Sequence, residues 1–162
     1  MTEGQLEYGK WWSGFMWDHF VTLTVDPHGG RRVGRAGRCP RTPAGVAKAM
    51  QNEFHRLLTK LVGGRVPFVG VIGLGAGDNP HAHLLTYGTA AIPLDRMARG
   101  WRHGRVTVER YDPMKGAAYY LAKHIGEEAN WEMSKTLPPL RSGALITPYS
   151  PNSRIQCQTD AK

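Results

Sequence analysis

The chain has 162 residues, with 21 Lys+Arg against 13 Asp+Glu and a formal net charge of +8. Its 41% hydrophobic content suits one globular domain with its own core and argues against disorder, and no apolar run nears the roughly 20 residues that span a bilayer. The two cysteines, Cys39 and Cys157, stand far apart with no CxxC pair, which argues against a disulfide framework or a cysteine zinc site. A sequence pI near 9.8 turns attention to phosphate-bearing partners. The N-terminus shows no basic segment followed by an apolar run, so a soluble, non-secreted chain is expected.

Residues 1–18 carry Trp11, Trp12 and Trp17. Trp is usually much buried, so a segment packed on the core is expected rather than a base-stacking platform. His19 to Val25, HFVTLTV, is β-branched and aromatic and stops at Asp26-Pro27, which reads as a strand. Residues 28–42 form a long basic loop with Arg31, Arg32, Arg35, Arg38 and Arg41 among glycines. Charge of a single sign favours phosphate contact over a merely solvated run. Thr42-Pro43 reads as an N-cap with Pro at the first helical position. Val46, Met50, Phe54, Leu57, Leu58 and Leu61 then recur at helical spacing until Gly63-Gly64.

Pro67 to Leu74 reads as a buried strand, Gly75 to Pro80 as a turn, and His81 to Tyr87 as a strand paired to the first of these as a hairpin. Pro93 to Arg99 is a short helix and Arg105 to Tyr111 a fourth strand. Asp112-Pro113 starts a third helix, with Met114, Ala117, Ala118, Leu121 and Ile125 as its apolar face and Gly126 as its stop. From about Thr136 the chain is rich in Pro and Ser and reads as an irregular tail. The expected organisation is a Trp-rich segment (1–18), a catalytic domain (19–135) and a tail (136–162). The βαββαβ order defines an α+β, ferredoxin-like fold: an antiparallel sheet with helices on one side.

Three local features carry chemistry. In His81-Ala82-His83 on a strand, residues i and i+2 face the same way, so two imidazoles stand together and can hold one divalent metal. Two half-exposed strand histidines with no ligand role satisfy the same pattern. In Tyr120-Leu121-Ala122-Lys123 on a helix, residues i and i+3 share a face away from the apolar stripe, so phenol and ammonium point together. Tyr119 points about 100° away. Phe20 to Thr24, FVTLT, is by itself only a good strand.

In this order, FVTLT, HAH and YLAK resemble the HUH endonucleases, and within them the single-tyrosine rolling-circle replication initiators. The resemblance runs from about Phe20 to Ile125 and includes GAAYYLAKHI, residues 116–125. It implies that His81 and His83 hold a divalent ion, Mn²⁺ or Mg²⁺. It implies that Tyr120 attacks phosphorus in line, becomes linked to the 5′ phosphate of single-stranded DNA and frees a 3′ hydroxyl, with Lys123 assisting electrostatically. The linkage keeps the bond energy, so the break can be rejoined without ATP. Two-tyrosine members carry a second tyrosine one turn earlier; here Gly116 stands there.

The family commonly places a carboxylate about eight residues before the histidine pair. Here Val71-Ile72-Gly73-Leu74 holds none. Asp78 and His124 are the alternatives for a third ligand; Asp78 also suits ordinary turn chemistry, and His124 also suits a helix surface. The resemblance implies single-stranded DNA as partner, presented beside a hairpin whose duplex the arginine loop would hold. No GxxxxGK[ST] phosphate loop is present, so a separate helicase and polymerase are implied, without a membrane. The cytoplasm of a prokaryotic cell, or the replication site of a mobile element, is the expected location. Competing readings are a transposase of the same superfamily and a non-catalytic DNA-binding protein. A histidine-triad enzyme is disfavoured because Leu85 takes the third place of its HxHxH run, and the GxGxG of Gly73, Gly75 and Gly77 precedes a strand rather than a helix.

Overall fold

The computed structural model describes residues 1–25, 42–74, 79–126 and 131–142. Arg31, Arg32, Arg35, Arg38, Arg41, Asp78 and both cysteines lie outside the described residues.

The alternation within each apolar segment builds the sheet. β1 (His19–Val25) pairs antiparallel with both β3 (Pro80–Thr86) and β4 (Gly104–Arg110), and β2 (Phe68–Leu74) pairs with β3 and with β5 (Trp131–Met133). The strand order is β4-β1-β3-β2-β5. β3 therefore lies between β1 and β2, as the split βαβ of a ferredoxin-like fold requires. The expected α+β class and hairpin stand; β5 is an added edge strand.

Helices cover both faces, not one. Val21 and Leu23 of β1, with Ala82 and Leu84 of β3, pack against Met50, Phe54 and Leu58 of α2 (Pro43–Val62) and Met97 of α3 (Leu94–Gly100). Val69, Val71 and Leu85 project to the other face. There they meet Trp12 of α1 (Glu3–Ser13) and Ala118 and Leu121 of α4 (Ala117–Lys123). β2 and β3 are apolar on both faces because both are covered.

Local chemistry fixes the ends. Thr42 Oγ1 accepts from the Gly45 amide, and Gly63 closes α2 in the left-handed region at φ 74°. α1 starts with a capping box between Thr2 and Gln5. The third predicted helix is interrupted: Pro113–Lys115 is a single 3₁₀ turn, and Gly116 at φ 69° separates it from α4. Met114, expected on the apolar face, is 91% exposed for that reason.

α1 holds α4 in place. Gln5 Nε2 donates to the carbonyls of Lys123 (2.9 Å) and Ile125 (2.8 Å). The Tyr119 ring lies so close to Gly9 that a Cβ there would stand 2.4 Å from it. Trp12 and Trp17 are buried, and the Trp17 indole N–H donates to the Trp12 carbonyl at 2.7 Å.

Candidate active site

The sheet register places the site. Thr24 of β1 stands opposite His81 and Arg105, and His81 stands opposite Gly73. One step along, Thr22 stands opposite His83 and Thr107. His81 and His83 project from one face of β3, with ring centroids 5.0 Å apart. α4 crosses that face and brings two more rings. Tyr120 lies with its centroid 4.9 Å from that of His83 and 5.3 Å from that of His124. His124, the C-cap of α4, has its centroid 6.4 Å from His81 and 6.0 Å from His83.

The Tyr120 hydroxyl is 3.3 Å from His83 Nε2, and His83 Nδ1 is 3.0 Å from Thr22 Oγ1. His83 is therefore held from both sides, and it is buried. Burial first, and the neighbouring His81 and His124 second, lower its pKa to about 3. At neutral pH it is the uncharged imidazole, the form that donates a lone pair to a metal. His81 is half-buried, with Nδ1 3.3 Å from the Asn79 carbonyl.

The neighbouring tyrosines have separate surroundings. Tyr119 faces α1 at Gly9, whereas Tyr120 is 44% exposed and turned to His83. Lys123 is exposed on the following turn. His81, His83, Tyr120 and His124 thus come together from β3 and α4.

Strand position 73, eight residues before His81, also has a geometric explanation. A Cβ on Gly73 would stand 2.5 Å from His81 Nε2. Any side chain there would displace the imidazole, so this chain keeps a glycine where a strand carboxylate was expected. The donors that remain are imidazoles. They suit a transition-series divalent ion better than Mg²⁺, which prefers oxygen. Among the described residues no three His, Cys, Asp or Glu side chains are already gathered around one point. The donor types and the space over Gly73 fit a divalent ion, and the three rings would close on it.

Sequence reading alone missed Thr22, Phe20 and Gly73 as parts of this site. The signal available was cross-strand pairing. Once β1 and β2 flank β3, the residues opposite the histidines are fixed. Phe20 lies near-parallel to His83 at 11°, with centroids 5.8 Å apart.

Fold and site together define an α+β protein that presents a His-x-His pair and a helical tyrosine on one face of an antiparallel sheet. The sequence profile of the replication-associated protein ORF2 family matches residues 18–129, and the chain belongs to that family. The match spans every residue of the cluster. No curated protein and no solved structure matches the chain. Membership places the chain among replication-associated proteins, for which contact with DNA is implied. No helix among the described residues is long and apolar enough to cross a membrane.

Proposed function

We propose that the chain is a metal-dependent nickase and rejoining enzyme for single-stranded DNA, initiating rolling-circle replication through Tyr120. The observation that carries this reading is the 3.3 Å approach of the Tyr120 hydroxyl to His83 Nε2. Thirty-seven residues separate the two, and only a built site brings a helical phenol onto a strand His pair.

In the proposed step, Tyr120 Oη forms a bond to phosphorus and the P–O3′ bond breaks. The 5′ phosphate stays on the tyrosine, and the phenol proton ends, in net terms, on the 3′ oxygen. Reversal rejoins the strand. A free phenol has a pKa near 10, so it needs activation near pH 7. His81, His83 and His124 would hold the divalent ion, Mn²⁺ or Mg²⁺, which polarises the phosphate and stabilises the charge that develops. Thr22 fixes the His83 ring from behind. Lys123 adds positive charge one turn beyond the nucleophile. A neutral His83 is a lone-pair donor rather than a general acid, which matches the ligand role.

The test is incubation with a random pool of single-stranded DNA and Mn²⁺, followed by denaturing electrophoresis. A covalent adduct absent from Tyr120→Phe supports the reading, and the trapped strand identifies the nicking sequence. Retained DNA binding with no adduct supports the non-catalytic reading, which the lack of a preassembled ligand trio among the described residues favours. The arginines of residues 31–41 are proposed to bind phosphates. Their removal should flatten the salt dependence of binding by about 0.7 in slope for each phosphate no longer neutralised.

A further inference from the structure

Beside the nucleophile lies a cavity of about 300 Å³ whose wall includes Phe20, His83, Glu109, Asp112, Lys115 and Tyr120. It has the room of roughly ten liquid waters, enough for one flat heteroaromatic ring. Phe20 and His83 form its flat side, and the Tyr120 ring stands near-perpendicular to both, at 80° and 89°. A base that enters would stack on aromatic faces, the common mode for unpaired nucleotides. The rim is polar and of mixed sign. The Asp112 carboxylate is committed to the Met114 amide at 2.9 Å. Glu109 has a loose partner, the Lys115 ammonium at 3.9 Å, and both side chains are at least half exposed.

Resting on the nicking reading of the same site, we propose that this cavity seats one unstacked guanine next to the scissile phosphate, with Glu109 and Lys115 reading its Watson–Crick edge. Guanine places two donors, N1–H and N2–H, side by side for a carboxylate and one acceptor, O6, beyond them for an ammonium. The carboxylate and ammonium at the rim offer the complementary order. Adenine would turn its N1 lone pair toward the carboxylate. Thymine offers one donor between two carbonyls, and cytosine one amino group. The pocket is therefore selective without any contact to a second strand.

The test separates base choice from chemistry. The full chain selects strands from a random single-stranded pool in EDTA, where no transfer occurs, and the bound consensus is read. A second arm adds Mn²⁺ and sequences the strand at the tyrosine linkage. We expect a guanine preferred about tenfold or more over each other base, the scale of one good bidentate contact. That guanine should sit beside the linkage. Glu109→Gln should remove most of the preference, and Lys115→Met part of it. A guanine preference untouched by Glu109→Gln overturns the inference, as does a consensus with no guanine or with cytosine in its place. A Glu109-dependent guanine in EDTA with no adduct in Mn²⁺ would leave the base site standing and overturn the nicking reading.

Discussion

Replacing Gly73 with alanine should separate metal-dependent function from stability. The new Cβ would stand 2.5 Å from His81 Nε2, with Cε1 at 3.0 Å and Cδ2 at 3.2 Å. Nε2 must retreat by about 1 Å to reach ordinary contact. A swing of roughly 15° about the side-chain torsions achieves that. Since ~30° off a rotamer costs about 0.5–1.5 kcal/mol, the strain is below about 1 kcal/mol. Alanine also narrows the unfolded ensemble, a gain of about 0.4–1 kcal/mol where the backbone is compatible. Gly73 lies in an extended strand, so the two terms nearly cancel. Metal ligation, in contrast, tolerates only about 0.2 Å of error in a ligand distance. Gly73→Ala should therefore unfold in urea within about 1 kcal/mol of the parent chain while its affinity for Mn²⁺, by titration calorimetry, falls about tenfold or more. Unchanged Mn²⁺ affinity with the alanine in place would refute the assignment of His81 as a ligand.

Gly70→Ala should behave differently, because its Cβ would stand 2.6 Å from Oε1 of fully buried Gln51, whose Nε2 is held by Glu132. That side chain has nowhere to swing, so a loss of about 1–3 kcal/mol is expected, read as a melting point lower by several degrees. Trp12→Ala should cost about 3–5 kcal/mol in urea unfolding, since Trp12 is fully buried between Tyr8 and Trp131; a loss under 1 kcal/mol would mean that α1 is not part of the core. Acid should destabilise the metal-free chain. His83 has a folded pKa of about 3, and burial also lowers that of His19, both from an ordinary 6.5. Their contribution is fully present above about pH 6.5 and is lost as pH falls toward 3, because the unfolded chain takes the protons first. Urea unfolding at pH 5 should show a loss of about 2 kcal/mol relative to pH 7.5, reduced in His83→Asn; equal stability at both values would contradict the burial of these rings.

Much of this architecture was readable in advance where local chemistry and periodicity agree. HFVTLTV is a strand over the same seven residues, and Thr42, Pro43 and Gly63 bracket α2 as their backbone preferences require. The sidedness of the helices was harder to read. An apolar stripe on a helix does not say which sheet face it meets; the near-continuous apolar runs of β2 and β3 were the available sign that both faces are covered. The helix over Met114 failed because Asp112-Pro113 reads as a helix start, while Gly116 in the left-handed region breaks the chain three residues later. α1 carried a sign in Thr2 and Gln5, a capping box outweighed by the tryptophans. At the site, His81, His83, Tyr120 and His124 were legible as separate motifs, but their convergence is tertiary. Thr22, Phe20 and Gly73 became visible only once strand neighbours and register were fixed.

The dependence of α4 on α1 also bears on how this protein is divided. The family match begins at residue 18, five residues after α1 ends. A fragment cut at that border would retain every candidate ligand and the tyrosine. It would lose Gln5, which ties down the end of α4, and Gly9, against which Tyr119 rests. The stretch of sequence shared with relatives is thus shorter than the unit that can keep its nucleophile aimed, and the helix that does the aiming lies outside the part by which the family is recognised.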